Sequence, residues 1–254
     1  MNETCARCVA FLRETAARNA VESVPTAHGK ALLSPHLPRV WYRNFLAVDL
    51  GAEASVEDLA AEADAVFASR SFHHRKVTVY DDVGARVAAG FRAMGWKVEQ
   101  LLVMAYAGEA VERPAATAEV GAGELGPIWA EGIRGSRGVP DEETVRQLVA
   151  AQLGRQKGVD VRYFAAVADG SIASYCELFS RGATGQIESV MTLESARGRG
   201  HGRAVVTRAL AESVAVGHDL TFLLADASDW PKELYRKLGF EEVGCIWDFI
   251  LEPA

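Results

Sequence analysis

The spacing of apolar residues predicts that helices and strands alternate through the first half of the chain. Residues 3–23 and 56–67 carry apolar side chains at the i, i+3, i+4 spacing, which is typical of an amphipathic helix. Ser55 and Asp58 form a capping-box pattern at the start of the second of these helices, and a further helix is predicted at 85–94, ending at Gly95. Apolar runs typical of strands lie at 30–33, 43–48, 74–80 and 96–106.

The second half of the chain gives a fuller pattern. Asp169 and Gly170 form a strong turn dipeptide, so the runs on either side of it are predicted to pair as a hairpin. An acidic first turn opens a predicted helix, and a buried core strand leads into a glycine-rich loop. The predicted elements are a first strand within 116–128, a helix at 141–157, hairpin strands at 162–168 and 171–180, a core strand at 186–193, a strand at 220–225, a short helix at 230–238 and a final strand pair ending at Leu251.

The glycine-rich loop is the first candidate for chemistry. Residues 197–203 hold three glycines and three arginines in seven positions. Glycine lets the backbone approach a ligand closely, and the first N–H groups of the following helix have no intrahelical partner and attract an anion. Arginine adds fork-shaped donors for phosphate oxygens. Helical spacing then continues from Val206 to Val214, so a strand, a phosphate loop and a helix follow in order.

The spacing of the loop separates three kinds of phosphate site. A P-loop needs Lys-Ser/Thr after its last glycine, where this chain has Arg203 and Ala204. A dinucleotide site needs G-x-G-x-x-G, whereas these glycines are spaced G-x-G-x-G. The loop instead resembles the Q/R-x-x-G-x-G/A signature of the GCN5-related N-acetyltransferases (GNAT). Residues 234–240, LYRKLGF, are similar to the LYxKLGF segment of the same family, and they follow the loop in the family's order.

The resemblance implies a fold and a co-substrate. It implies an α/β fold of the α+β type, with a mixed, mostly antiparallel central sheet flanked by helices, and acetyl-CoA as acyl donor, attacked directly by an amine in a ternary complex. The strand backbone would pair with the pantetheine arm, and the loop would hold the pyrophosphate. Ser228 stands where many relatives have a CoA-contacting asparagine, which leaves that contact in doubt. The implied acetyl-CoA contacts are Val190, Met191, Thr192, Arg197, Gly198, Arg199, Gly200, His201, Gly202, Arg203 and Ser228.

Two proton transfers need candidate residues. Tyr235 occupies the tyrosine of the LYxKLGF segment, so the resemblance makes it the proton donor to the leaving thiolate; an aromatic side chain on the inward face of a short helix is the alternative. Glu188 is the first choice as base, because it alternates with Val190 and Thr192 on the core strand. Glu177, Asp226 and an ordered water relay are alternatives. His201 lies among phosphate ligands and is expected to be a surface side chain.

The first half is a degenerate copy of the second. Val48 lies 145 residues before Leu193, and Asp81 lies 145 residues before Asp226, which predicts two GNAT-like units in tandem at 1–112 and 113–254. The copy lacks the loop, since carboxylates replace the arginines and glycines at its helix start. Carboxylates stabilise a helix N-terminus themselves and repel phosphate. The first unit is therefore predicted to bind no CoA and to pack against the second or shape its acceptor cleft.

Composition narrows the class of protein. An apolar content of 49% is typical of a globular protein, and a formal net charge of −7 disfavours a general nucleic-acid binder. No apolar run is long enough for a membrane span, and charges interrupt the N-terminus where a signal peptide would be apolar, so a cytoplasmic protein is expected. Cys5 and Cys8 lack the partners of a zinc site and are expected to be buried, so no metal is predicted.

The acceptor remains open at this stage. The leading hypothesis is an N-acetyltransferase acting on a small-molecule or peptide amine, as a monomer or homodimer. A catalytically silent CoA-binding or protein-interaction module is the alternative, supported by the uncertain base. A second alternative is an oxidoreductase that uses the glycines to bind NAD. Acceptor specificity comes from loops, and the side chains proposed to line the cleft are Trp41, His73, His74 and Trp129.

Overall fold

The computed structural model describes residues 1–70, 72–108, 112–135, 141–154 and 158–252. The helices are α1 (Glu3–Asn19), α2 (Val56–Ala68), α3 (Val83–Ala93), α4 (Ala122–Arg134), α5 (Glu142–Gly154), α6 (His201–Ala215) and α7 (Pro231–Lys237). The strands are β1 (Glu22–Pro25), β2 (Gly29–Leu33), β3 (Phe45–Val48), β4 (Arg75–Val79), β5 (Lys97–Tyr106), β6 (Thr117–Val120), β7 (Asp160–Ala168), β8 (Ser171–Arg181), β9 (Thr184–Thr192), β10 (Leu220–Asp226) and β11 (Phe240–Leu251). The predicted helix end at 155–157 and part of the segment before β6 lie outside the described residues.

The chain forms two compact units. One contains Met1–Val103, Asp226–Asp229 and the chain from Val243 onward; the other contains Met104–Ala225 and Trp230–Glu242. Both units are discontinuous along the chain, because Asp226–Asp229 and most of the last strand, from Val243, belong to the first unit. The predicted boundary between residues 112 and 113 stays a prediction about domains.

The first unit is a mixed sheet with strand order β1-β2-β3-β4-β11-β5. β3 and β4 are parallel, with Leu46 opposite Val77, and β4 and β11 are antiparallel, with Val77 opposite Phe249. Phe91 of α3 stacks on Phe249 with ring centroids 4.3 Å apart, and both are fully buried. Helices therefore cover the sheet with apolar faces, as the periodicity predicts.

β11 corrects one predicted element. The sequence predicts a pair of final strands, but residues 240–251 form one continuous strand. Its Trp247 lies directly on Gly84, where an added Cβ would come within 2.2 Å of the indole. Its Asp248 accepts hydrogen bonds from Lys76 Nζ at 2.7 Å and Thr78 Oγ1 at 2.6 Å. These long-range contacts hold the C-terminal strand in the first unit.

The second unit is a sheet with strand order β10-β9-β8-β7-β6. β6, β7, β8 and β9 pair antiparallel to their neighbours, whereas β10 runs parallel to β9. The hairpin between β7 and β8 turns at Asp169 and Gly170, which both have positive φ angles, as the turn dipeptide predicts. α6 packs against β7, β8 and β9.

The segment after β6 differs from prediction. The strand predicted within 116–128 forms as β6 but ends at Val120, and α4, which the sequence does not predict, follows. The Gly121 N–H donates to Glu124 Oε1 at 2.7 Å, which satisfies one donor at the helix start. Leu125 and Trp129 are buried on Tyr163 of β7. Gly126 and Pro127 within the helix have poor helix propensity, so the local sequence does not predict a helix here.

A buried ion-pair network joins α6 to its sheet. Glu212, whose side chain is 6% exposed, receives Arg113 Nε at 2.6 Å, Arg162 Nη2 at 2.8 Å and Arg208 Nε at 3.0 Å. Arg162 also pairs with Glu119 at 2.6 Å. Burial alone raises the pKa of Glu212, but hydrogen bonds from Arg162 and Arg113 and the charges of Arg162 and Arg208 outweigh it and lower the pKa below its usual value.

Candidate functional site

The parallel strands β9 and β10 part before either of them ends. Their pairing runs from Thr184 opposite Leu220 to Ile187 opposite Leu223, although β9 continues to Thr192. Within the described residues, no ladder pair covers the β10-facing side of β9 beyond Ile187. We call residues 188–192 the open segment of β9. An unpaired strand edge of this kind can accept an extended ligand as an added strand.

A β-bulge lies at the start of the open segment. The register with β8 passes from Glu188 opposite Glu177 to Met191 opposite Tyr175, so that Ser189 and Val190 together oppose one residue of β8. Ser189 has a φ of 52°, a conformation that costs a non-glycine residue roughly 1–2 kcal/mol. Glu188 Oε2 accepts the Ser189 N–H at 2.5 Å. A bond to a charged acceptor contributes about 1.5–3 kcal/mol, which is enough to offset this strain.

The backbone direction of the open segment follows from its contacts with β8. Leu193 N–H donates to Ala173 O at 3.0 Å, and Met191 O accepts from Ser174 Oγ at 2.7 Å. Because backbone groups alternate in direction along a strand, those of Val190 and Thr192 point away from β8. Sequence reasoning missed the bulge and Ser174, since neither has a local sequence signal.

The glycine loop has the backbone conformation that an anion site requires. Gly198 and Gly200 have φ angles of 75° and 82°, which favour glycine. α6 begins at His201 with no side-chain cap, and its first helical bond runs from Ala204 N–H to Gly200 O at 3.0 Å. The N–H groups of residues 201–203 are therefore open to an anion.

The loop lies close to the end of β9. A Cβ added at Gly202 would come within 3.1 Å of Thr192 Oγ1, and Arg197 Nε donates to Thr192 O at 3.4 Å. The structure thus brings the predicted strand contact and the predicted loop contacts together.

The arginines of the loop are available to a ligand. Arg197, Arg199 and Arg203 are exposed, while His201 is half-buried. In the part of the chain that the structure describes, none of these three arginines forms an ion pair with a carboxylate. Their charge is therefore uncompensated by the protein, which favours a polyanion at the loop.

The corresponding helix start in the first unit is capped by the protein itself. Ser55 Oγ accepts the Asp58 N–H at 3.1 Å, and Asp58 Oδ2 accepts the Ser55 N–H at 3.0 Å. The Ser55 hydroxyl, which also donates to Asp58 Oδ2 at 2.6 Å, and the Ser55 N–H together lower the pKa of Asp58. Gly51 N–H donates to Asp81 Oδ2 at 2.6 Å. The capping box that the sequence predicts is confirmed, and carboxylates occupy donors that the second unit leaves open.

In the same unit, Arg13 of α1 contacts the ends of β3 and β4. Its Nη1 donates to Val48 O at 2.7 Å, its Nη2 donates to Asp49 Oδ1 at 2.9 Å, and its guanidinium lies 5.2 Å from the centroid of the Tyr80 ring. Val48 ends β3 and Tyr80 follows β4, so the side chain sits where these parallel strands end. The sequence gives no sign of this contact, because 35 residues separate Arg13 from Val48.

The two catalytic candidates lie in the second unit. Tyr235 on α7 is buried, and its ring meets Phe240 edge-on at 6.1 Å. Glu188 is half-buried and lies opposite Glu177, which is fully buried. Glu188 is therefore partly accessible to a ligand, whereas Glu177, beside it on β8, is fully enclosed.

Other predicted residues have structural contacts in the first unit. Ser228 donates both its N–H and its hydroxyl to Asp226 Oδ1 at 2.7 Å, so Asp226 shapes this turn. His74 is buried against Trp41, and burial lowers its pKa to about 4. Trp129, in the second unit, is likewise buried, at 2% exposed. His74 and Trp129 thus occupy core positions.

No helix in the described ranges is both long and apolar enough to cross a membrane. Residues 167–247 match the family model described as FR47-like protein. No curated protein matches the sequence.

Solved structures match nearly the whole chain. A functionally unknown conserved protein from Staphylococcus epidermidis is 13% identical with a TM-score of 0.71, covering 96% of this chain and 98% of that chain. A GCN5-related N-acetyltransferase from Kribbella flavida is 17% identical with a TM-score of 0.69, covering 100% and 97%. A tandem GNAT protein from the clavulanic acid biosynthesis pathway is 16% identical with a TM-score of 0.55, covering 99% and 95%. The predicted resemblance and the tandem GNAT fold are confirmed.

Proposed function

We propose that the protein is an acyl-CoA-dependent N-acetyltransferase that transfers the acetyl group of acetyl-CoA to a primary amine. The proposal rests on one observation in the second unit: the open segment of β9 lies next to an uncapped, arginine-rich glycine loop. In the first unit, Arg13 contacts the end of strand β3, and the Ser55–Asp58 capping box occupies the helix start. A difference of this kind favours one cofactor site per chain.

Acetyl-CoA is bound as a substrate along the open segment of β9. The backbone groups of Val190 and Thr192 pair with the pantetheine arm, whereas the backbone of Met191 faces β8 and only its exposed side chain can contact this arm. The N–H groups and arginines of residues 197–203 hold the pyrophosphate. A Ser228 contact belongs to the same proposal by resemblance alone. The acceptor is a small-molecule or peptide amine, and we place the reaction in the cytoplasm.

The reaction needs two protons removed from the ammonium nitrogen and one supplied to the leaving thiolate. An alkylamine with a pKa near 10.4 is protonated at pH 7, and its deprotonation costs roughly 4–5 kcal/mol. Glu188, directly or through water, takes this proton, and the nitrogen attacks the thioester carbon. The carbon–sulfur bond breaks, the CoA thiolate takes a proton from Tyr235, and the second proton lost by the nitrogen returns to the tyrosinate through water. Glu177 is the alternative base, because it lies opposite Glu188.

Tyr235→Phe is expected to lower kcat by about 10²-fold, at the lower end of the usual range for a positioned proton donor, with little change in the KM for acetyl-CoA. Initial rates of thiol release with an amine panel measure this. Tyr106→Phe is the matched control, because Tyr106 also meets Phe240 edge-on, at 5.5 Å, and should leave kcat unchanged. Equal losses in the two variants would assign Tyr235 a packing role.

The same panel tests the alternative function. A catalytically silent CoA-binding module would bind acetyl-CoA without releasing thiol in the presence of any amine. The contact between Glu188 and its neighbouring amide favours this alternative, since it engages one oxygen of the candidate base. Turnover with at least one amine decides for the transferase.

A further inference from the structure

We propose that Glu188 is also a positioning residue, whose carboxylate locks the bulge that turns the open segment of β9 toward the cofactor. This inference rests on the proposed function, because it concerns the same acetyl-CoA site. It differs from a role as base, since the lock acts on the folded backbone before any substrate binds. Glu188 therefore contributes to the affinity for acetyl-CoA in addition to accepting a proton.

The bulge is of the kind that glycine usually forms. Its first residue is in the left-handed region, where glycine is favoured, but this chain has Ser189 at a φ of 52°. The neighbouring Glu188 carboxylate accepts the Ser189 N–H at 2.5 Å, and a charged acceptor forms a shorter and stronger bond than a neutral one. A serine in this conformation needs such a partner, because strained backbone persists only where its surroundings hold it.

The bulge decides which way the following backbone points. Ser189 and Val190 together oppose one β8 residue, and the ladder resumes with Met191 opposite Tyr175. Without the extra residue, the register would slip by one, and a slip of one residue exchanges the two sides of a strand. The backbone groups of Val190 would then turn toward β8 and be lost to a ligand.

A carboxyl side chain on β8 favours the same conformation of Glu188. Glu177, fully buried, lies directly across from Glu188 in the ladder. Two carboxyl side chains directly opposite each other crowd the same face of the sheet, and they repel when both are ionised. A Glu188 carboxylate turned back along its own strand to the Ser189 amide relieves that repulsion, so the ladder partner and the bulge favour the same side-chain conformation.

Substitutions separate the lock from the base. Glu188→Gln keeps an oxygen that can accept the Ser189 N–H but cannot take a proton, whereas Glu188→Ala removes both functions. Ser189→Gly removes the strain, so that the bulge no longer depends on the carboxylate. Glu241→Ala is the matched control, because Glu241 is an exposed strand carboxylate of the same unit.

The experiment is calorimetric titration of the full chain and its variants with acetyl-CoA. We expect Glu188→Ala to raise the Kd by about tenfold, or 1.4 kcal/mol, and Glu188→Gln and Glu241→Ala to leave it within about threefold. Adding Ser189→Gly to Glu188→Ala should restore the Kd. An unchanged Kd in Glu188→Ala, or equal losses in the Ala and Gln variants, would overturn the lock.

A second readout needs no ligand. The Ser189 amide proton should resonate downfield and exchange slowly in the wild type and in Glu188→Gln, and both signatures should disappear in Glu188→Ala. If the wild type binds no acetyl-CoA, the proposed function fails, and the amide signatures still decide whether Glu188 holds the bulge. Identical amide behaviour in Glu188→Ala and wild type would refute the lock by itself.

Discussion

Gly200→Val is expected to abolish measurable acetyl-CoA binding while leaving the protein folded. Gly200 has a φ of 82° at the position before α6, where a β-branched residue is strongly disfavoured. Apart from its chain neighbours, none of the described residues has an atom within 4 Å of a Cβ added there, so the change reshapes the loop without a clash in the core. The N–H groups of residues 201–203 would lose their common direction, and calorimetry should show a Kd raised by at least about 30-fold, a loss of roughly 2 kcal/mol.

A matched control separates loop shape from general strain. Gly170 has a φ of 77° in the hairpin turn between β7 and β8, also with open space around its Cβ position. Gly170→Val should therefore lower stability to a similar degree and bind acetyl-CoA normally. Comparable loss of binding in both variants would show that destabilisation, and not the loop, governs affinity.

Glu212→Ala should destabilise the second unit by about 3–5 kcal/mol, because removing one partner of a buried ion pair leaves the others uncompensated. Arg162 and Arg208, whose side chains are 30% and 17% exposed, would lose their buried carboxylate. Denaturant unfolding monitored by fluorescence measures the change. The exposed pair of Glu142 and Arg134 is the control, since Glu142→Ala should leave stability almost unchanged.

The pH dependence of stability gives an independent check on the network. The folded-state pKa of Glu212 is lowered from 4.5, so its contribution is fully present above the unfolded value and is lost as pH falls through the folded value. Wild type should therefore lose stability on acidification in this range more steeply than Glu212→Ala. Parallel curves for the two proteins would show that Glu212 contributes little to stability.

Local signals in the sequence predict the parts of the site that depend on neighbouring residues. Gly198 and Gly200 have the positive φ angles expected of a glycine loop, although Gly202 lies within α6, and the Ser55–Asp58 capping box forms as predicted. Both features depend on contacts within a few residues. The hairpin turn at Asp169 and Gly170 is correct for the same reason.

Contacts between distant residues set the rest, and no local pattern encodes them. β11 lies beside β4 because Asp248 meets Lys76 across 172 residues. Arg13 reaches Val48, and the bulge at Ser189 depends on the register with β8. α4 is missing from the sequence prediction: Gly126 and Pro127 have poor helix propensity, whereas burial of Leu125 and Trp129 stabilises the helix.

The stoichiometry of acetyl-CoA binding tests the central claim most directly. Calorimetric titration of the intact chain should show one site per chain in the wild type, retained when Ser55 is changed to alanine and lost when Gly200 is changed to valine. That result would place the site at the uncapped loop of the second unit. Two sites per chain, or binding that survives Gly200→Val and disappears in Ser55→Ala, would contradict the account.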